Sequence, residues 1–159
     1  MRRLWILLAL ILAGCADKQR TPVMGHWTGG FYTDGAEAMR GYLQLYRTGD
    51  KFKMRLASKT QELQFEGTWT IEKNRIQLRV GDIKFDNPSE ATQKAMGIQV
   101  LDSESVRSAY SKPIVLDVSG DARELKGLTM TLDNLQGSHR FNKGDVTPNA
   151  QQALDRIQK

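Results

Sequence analysis

The chain has 159 residues, 40% of them hydrophobic and 26% charged, with a formal net charge of +5. That length suits one domain with a real core. A single cysteine excludes an intrachain disulfide and a multi-thiolate zinc site, so the fold must stand on packing alone.

Met1-Arg2-Arg3 is a short basic region, and residues 4–13 (LWILLALILA) are uncharged and apolar. The run falls well below the roughly 20 residues needed to cross a hydrocarbon core, but suits an export signal. It ends in Leu12-Ala13-Gly14-Cys15, which resembles the lipobox of bacterial lipoproteins. That resemblance implies a signal peptide over 1–14, removed before Cys15, and acylation of the cysteine thiol and the new amino terminus. Two or more acyl chains hold a protein stably on a membrane. Ala16 stands where an aspartate commonly retains such lipoproteins in the inner membrane, so the resemblance points to the outer membrane, on its periplasmic face. Of 159 residues, loss of 14 leaves 145; Arg2 and Arg3 leave with them, and 21 basic residues against 18 acidic give a net charge of +3. Acylation uses the one thiol, which removes a cysteine nucleophile as well.

Residues 15–24 are the lipidated cysteine and a short polar tether, and 25–159 form one domain. From His26 onward the period is two: Leu43 and Leu45, then Phe52, Met54 and Leu56, then Phe65, Gly67, Trp69 and Ile71, then Ile76, Leu78 and Val80 alternate with polar residues. Alternation of this kind marks antiparallel strands with one wet face. Residues 47–51, 72–75 and 80–83 (VGDI) read as tight hairpin links. Residues 87–112 break the pattern. Asn87 is a helix N-cap, Pro88 the first helical residue, Glu90 its capping-box partner and Gly97 the stop. A second irregular or helical piece, DSESVRSAY, ends before Lys112-Pro113. Strands resume with Ile114, Leu116 and Val118, then Leu128, Met130 and Leu132 inward, and finally residues 136–142. Thr147-Pro148 opens a C-terminal helix through Ile157. A meander of eight or nine strands hides its edges by closing. The expected fold is a mainly all-β, small antiparallel barrel, with a helical excursion at 87–112 between six strands and three.

Gly25-His26-Trp27, opening the first strand, is similar to the Gly-x-Trp start of the lipocalins. In that family the Trp closes the barrel floor and stacks on an Arg of the last strand, which implies Arg140 here, a stack of roughly 0.5–2 kcal/mol. Residues 25–80 also look like the half-barrel of small envelope lipoproteins of copper homeostasis and surface sensing. Those carry a Cys-x-x-Cys pair that this chain lacks, so metal sensing does not transfer.

His26 and His139 fall on the first and last strands, which closure makes neighbours; two imidazoles fall short of a ligand set, and no metal is assigned. Asp34, Asp50, Asp82, Asp121 and Asp133 sit in turns, where Asp bonds its own backbone. No nucleophile elbow, His-Glu-x-x-His or phosphate loop occurs, so neither an enzyme nor a cofactor is assigned. Lys51, Lys53, Arg55 and Arg79 form an outward basic stripe, suited to lipid headgroups or an anionic polymer, or serving only as a solvated strand face. Nucleic acid is not an expected partner of an exported, anchored chain.

The inward set is Leu43, Leu45, Met54, Leu56, Phe65, Trp69, Ile71, Leu78, Leu116, Leu128 and Met130. An eight-stranded barrel either fills with side chains or holds one small ligand. Gly67 and the excursion as a lid favour a cavity, and the large inward residues favour filling. Two readings follow. In the first, a lipocalin-like lipoprotein binds a lipid or fatty acid through Trp69, Met54, Phe65, Leu78 and Met130. In the alternative, a filled barrel docks an envelope assembly or stress sensor through Tyr42, Tyr46 and the basic residues.

Overall fold

The computed structural model describes residues 22–144. The signal segment, Cys15, most of the tether and the helix expected over 147–157 lie outside the described residues. Nine strands form, β1 (Gly25–Thr33), β2 (Ala36–Leu45), β3 (Lys51–Ala57), β4 (Glu62–Glu72), β5 (Arg75–Asp86), β6 (Ile114–Val118), β7 (Glu124–Gly127), β8 (Met130–Leu132) and β9 (Leu135–Lys143). Two short helices, α1 (Glu90–Met96) and α2 (Ser103–Ala109), lie between β5 and β6. The pairing runs β1-β2-β3-β4-β5-β6-β7-β9 and returns from β9 to β1, all antiparallel, which closes an eight-stranded barrel; β8 adds a short hairpin on β9.

The turn between β1 and β2 places Asp34 and Gly35 at φ 49° and 80°, the left-handed pair that a two-residue hairpin requires. Lys73 and Asp133, at φ 55° each, are single left-handed residues that open two other two-residue hairpin turns. VGDI, expected as a turn, is instead the middle of β5. Phe65 pairs with Ile83 and Trp69 with Leu78, while the register slips between Glu66 and Gly67, leaving Gly81 as the extra residue of a bulge. The buried positions reveal why: Ile76 and Leu78 are even and Ile83 is odd. One inserted residue changes the phase without ending the strand. The excursion therefore follows five strands, and four come after it.

α1 starts two residues later than expected. Ser89, not Asn87, is the N-cap, and its hydroxyl accepts from the Thr92 N–H at 3.2 Å. Gly97 ends the helix in the left-handed region, as its lack of a Cβ allows. α2 is capped by Asp102, whose carboxylate accepts from the Ser105 N–H at 2.7 Å.

The barrel interior is lined by Trp27, Phe31, Leu43, Phe52, Leu56, Phe65, Trp69, Leu78, Leu116 and Phe141, each 0–1% exposed. A void able to hold water would leave accessible area on the side chains around it. Gly67 does not open a cavity: a Cβ there would lie 2.8 Å from the edge of the Phe52 ring and 2.0 Å from the Arg79 carbonyl oxygen. Leu128, expected inward, is 58% exposed, because β7 ends at Gly127 and β8 begins only at Met130. Ile71 and Met130 are half-buried at the ends of their strands.

Beyond Leu78, β5 has no partner in β6, and α2 occupies the seam. The Arg107 guanidinium donates to the Ile83 carbonyl at 3.2 Å and lies over the Phe85 ring at 5.1 Å. Val106 and Tyr110 are buried, and the Tyr110 ring packs on Phe65 at 4.6 Å. Gln61 latches the chain before α2, donating from Nε2 to the Leu101 carbonyl (3.3 Å) and accepting from its N–H (2.9 Å).

Candidate functional site

Strand parity sends alternate residues of β1 to β5 outward, and register aligns them in rows across the wall. One row runs His26, Gln44, Lys53, Glu66, Asp82, and the next Thr28, Tyr42, Arg55, Gln64, Lys84. Together with Tyr46, Arg47 and Lys51, all of these residues except Thr28 line a trough of about 1160 Å³ on the outside of the barrel. The expected basic stripe is therefore interleaved with acids. Lys53 Nζ lies 3.3 Å from Glu66 across the strand pair, both about half exposed, and such a pair contributes about 0.2–1 kcal/mol. Arg55 makes an ion pair with Glu62 in a less exposed setting. Arg79 belongs to a separate row, opposite Thr68 and then Lys51. Burial raises the Tyr42 phenol above its usual range, against the lowering effect of Arg55. Two buried atoms on the trough, Gln44 Oε1 and Arg55 Nε, make no hydrogen bond within the described residues. One can accept and the other donate, which is the complement of a peptide or an amide.

The five residues expected to bind a ligand do not form an open pocket. Trp69, Met54, Phe65 and Leu78 are core residues, with the Trp69 indole N–H donating to the Tyr46 carbonyl at 3.0 Å. Met130 stands apart, on the β8 hairpin. Of the motif residues, Gly25 opens β1 at φ 109°, and Trp27 is fully buried with its N–H donating to the Val23 carbonyl at 2.8 Å. Arg140 is not the partner of Trp27. It pairs with Gly30, faces outward, and lies over the Tyr32 ring at 5.7 Å. Lys143, which is the register partner of Trp27, supplies the cation at 5.6 Å. A shift of three residues along β9 changes the face, and so changes which base the indole meets.

The histidines do not meet. His139 pairs with Phe31, five positions along β1 from His26, and points inward while His26 points outward. His139 is fully buried among Phe31, Phe141 and Tyr110, with Nε2 3.1 Å from the Tyr110 hydroxyl and Nδ1 unpartnered. Burial pulls its pKa down to about 4 and pushes the Tyr110 phenol up. Among the described residues no group of three or more His, Cys, Asp or Glu is arranged to hold a metal.

Gln61 and His139 are the buried polar residues among those described; pattern reading passed over Gln61, and it placed His139 on the last strand without its burial. Both stand in the inward phase of a strand, Gln61 just before β4 and two residues ahead of Leu63, and His139 in β9 two before Phe141. A polar residue in an apolar phase was the available signal.

No family model matches the chain, and no curated protein matches it. Among solved structures, a redesigned β-barrel is similar over 79% of this chain and 94% of its own, at 10% identity and a TM-score of 0.44.

Proposed function

We propose that the protein is a lipid-anchored lipoprotein of the bacterial envelope, held by acylated Cys15 in the outer membrane, whose filled barrel is a docking module. The observation that carries this reading is the contrast between the two faces of the wall. The inward residues are 0–1% exposed, whereas the outer trough has about 1160 Å³ and carries two tyrosines, alternating charges and two unpartnered polar atoms. Tyr and Arg are the residue types that dominate interface energetics. The partner is an envelope protein with exposed amide groups and mixed charge, set against the rows of Lys53, Glu66, Arg55 and Asp82.

A second reading, a lipocalin-like carrier of a lipid or fatty acid, is supported by one feature. α2 covers the seam beyond Leu78, where β5 has no partner in β6, so its release from the Arg107, Gln61 and Tyr110 contacts would open the barrel as a lid does. Native mass spectrometry of residues 16–159 after incubation with mixed phospholipids and fatty acids separates the two. The docking reading expects the bare protein mass, and a stoichiometric lipid adduct that survives purification would replace it with the carrier reading. A photo-crosslinker at Gln44 should then trap a discrete envelope protein, and Tyr42→Ala with Tyr46→Ala should abolish that adduct.

A further inference from the structure

We infer that the barrel stands end-on at the bilayer, with its Trp27 end against lipid headgroups and the α1–α2 end directed away. This rests on the anchor at Cys15 proposed above and adds a surface and an orientation to it. All the described connections at one end are tight: residues 46–50 between β2 and β3, Lys73-Asn74 between β4 and β5, and residues 119–123 between β6 and β7. The first and last described residues lie at that same end, because Trp27 pairs with Lys143 and the Gly144 N–H reaches the His26 carbonyl. The chain is pinned there before β1 begins. Val23 is buried, its carbonyl accepts from the Trp27 indole at 2.8 Å, and the Lys143 ammonium donates to the Pro22 carbonyl.

The tether is thereby shortened to the stretch from Cys15 to Pro22. Its seven Cα steps reach at most about 24 Å when fully extended. The 11 residues of β4 span about 35 Å, and a tilt of 35–45° turns this into a barrel height of about 26 Å before α1 and α2 are added. An inverted barrel would need a longer tether than the chain supplies. The end that remains against the membrane carries Arg47, Lys51, Lys73 and Arg123 on its turns and strand ends, long cationic side chains able to reach headgroup phosphates. Asp50, Glu72, Asp121 and Glu124 lie among them, with Asp121 accepting from the Ser119 hydroxyl at 2.6 Å within its own turn.

The full-length lipoprotein tests this directly, since acylation consumes its one cysteine and an introduced thiol is then unique. Lys73→Cys, Arg123→Cys, Lys53→Cys and Met96→Cys are each labelled with an environment-sensitive fluorophore and reconstituted into vesicles containing headgroup-nitroxide phospholipid. The expected result is that labels at positions 73 and 123 lose most of their emission, position 53 on the side wall loses less, and position 96 on α1 keeps its emission. Strongest quenching at position 53 would mean a barrel lying on its side, strongest quenching at 96 an inverted one, and quenching nowhere a domain held clear of the bilayer; each overturns the inference. The intact mass of the same samples reports the acyl groups independently, so a chain without them refutes the anchor instead.

Discussion

Lowering the pH should weaken this fold through one residue, His139. Its ring is fully buried among Phe31, Phe141 and Tyr110, with one nitrogen bonded to the Tyr110 hydroxyl and the other unpartnered. A proton on the ring would place a charge and an unsatisfied N–H in an aromatic core. The folded pKa of about 4 therefore lies below the ordinary 6.5, and the unfolded chain binds the proton more readily. The associated stability is present above pH 6.5 and is lost as pH falls toward 4. Between about pH 7 and about pH 4.5 the loss amounts to about 2 kcal/mol, at 1.36 kcal/mol for each pH unit separating the two pKa values. Urea unfolding of the wild type and of a His139→Leu, Tyr110→Phe double variant at the two pH values isolates the effect. Removing both polar partners is close to neutral at high pH, and carboxylate contributions common to both proteins cancel. The wild type should lose about 2 kcal/mol more than the variant over that range. Equal losses would refute the buried, neutral histidine.

Gly67→Ala would drive a methyl group to 2.0 Å from the Arg79 carbonyl oxygen and into the Phe52 ring; it should cost about 3 kcal/mol, read as a fall in the urea midpoint. Gln61→Ala removes both hydrogen bonds to the Leu101 backbone and should cost about 1–3 kcal/mol, with faster amide exchange at Leu101 while β1 amides keep their protection. Lys143→Ala should shift the Trp27 indole N–H resonance and cost about 0.5–1 kcal/mol, whereas Arg140→Ala should leave that resonance in place, because Arg140 lies over Tyr32. The reverse order would restore Arg140 to the Trp.

Closure and the meander up to β5 follow from alternation and turn chemistry, both of which are local. What alternation could not supply is phase across an irregularity. Val80-Gly81-Asp82 carries turn residues, and only the pairing with β4 reveals a bulge there. A register error of three residues, an odd number, separates Arg140 from the cation Trp27 meets, Lys143, since the face of β9 depends on its register with β1. Leu128 was misplaced because a strand was drawn through the corner between β7 and β8. The outward trough was half legible: Tyr42, Tyr46, Lys53 and Arg55 stand out by parity, but Glu66 and Asp82 join them only through strand neighbours distant in sequence. The contact of Tyr110 with His139 spans 29 positions between a helix end and a strand, and no period encodes it.

The seam between β1 and β9 sets the order in which the molecule can be made. Trp27 finds its cross-strand partner only at Lys143, 116 positions later. At the roughly 5–20 residues per second of chain synthesis, about 6–23 s separate the appearance of the two. Throughout that interval β1 has one paired edge at most, and the apolar sides of five or more strands have no ring to enclose them. Rapid early collapse would trap such a chain with an open edge. Any process that holds the chain unfolded over that interval would keep the first strand waiting for the last.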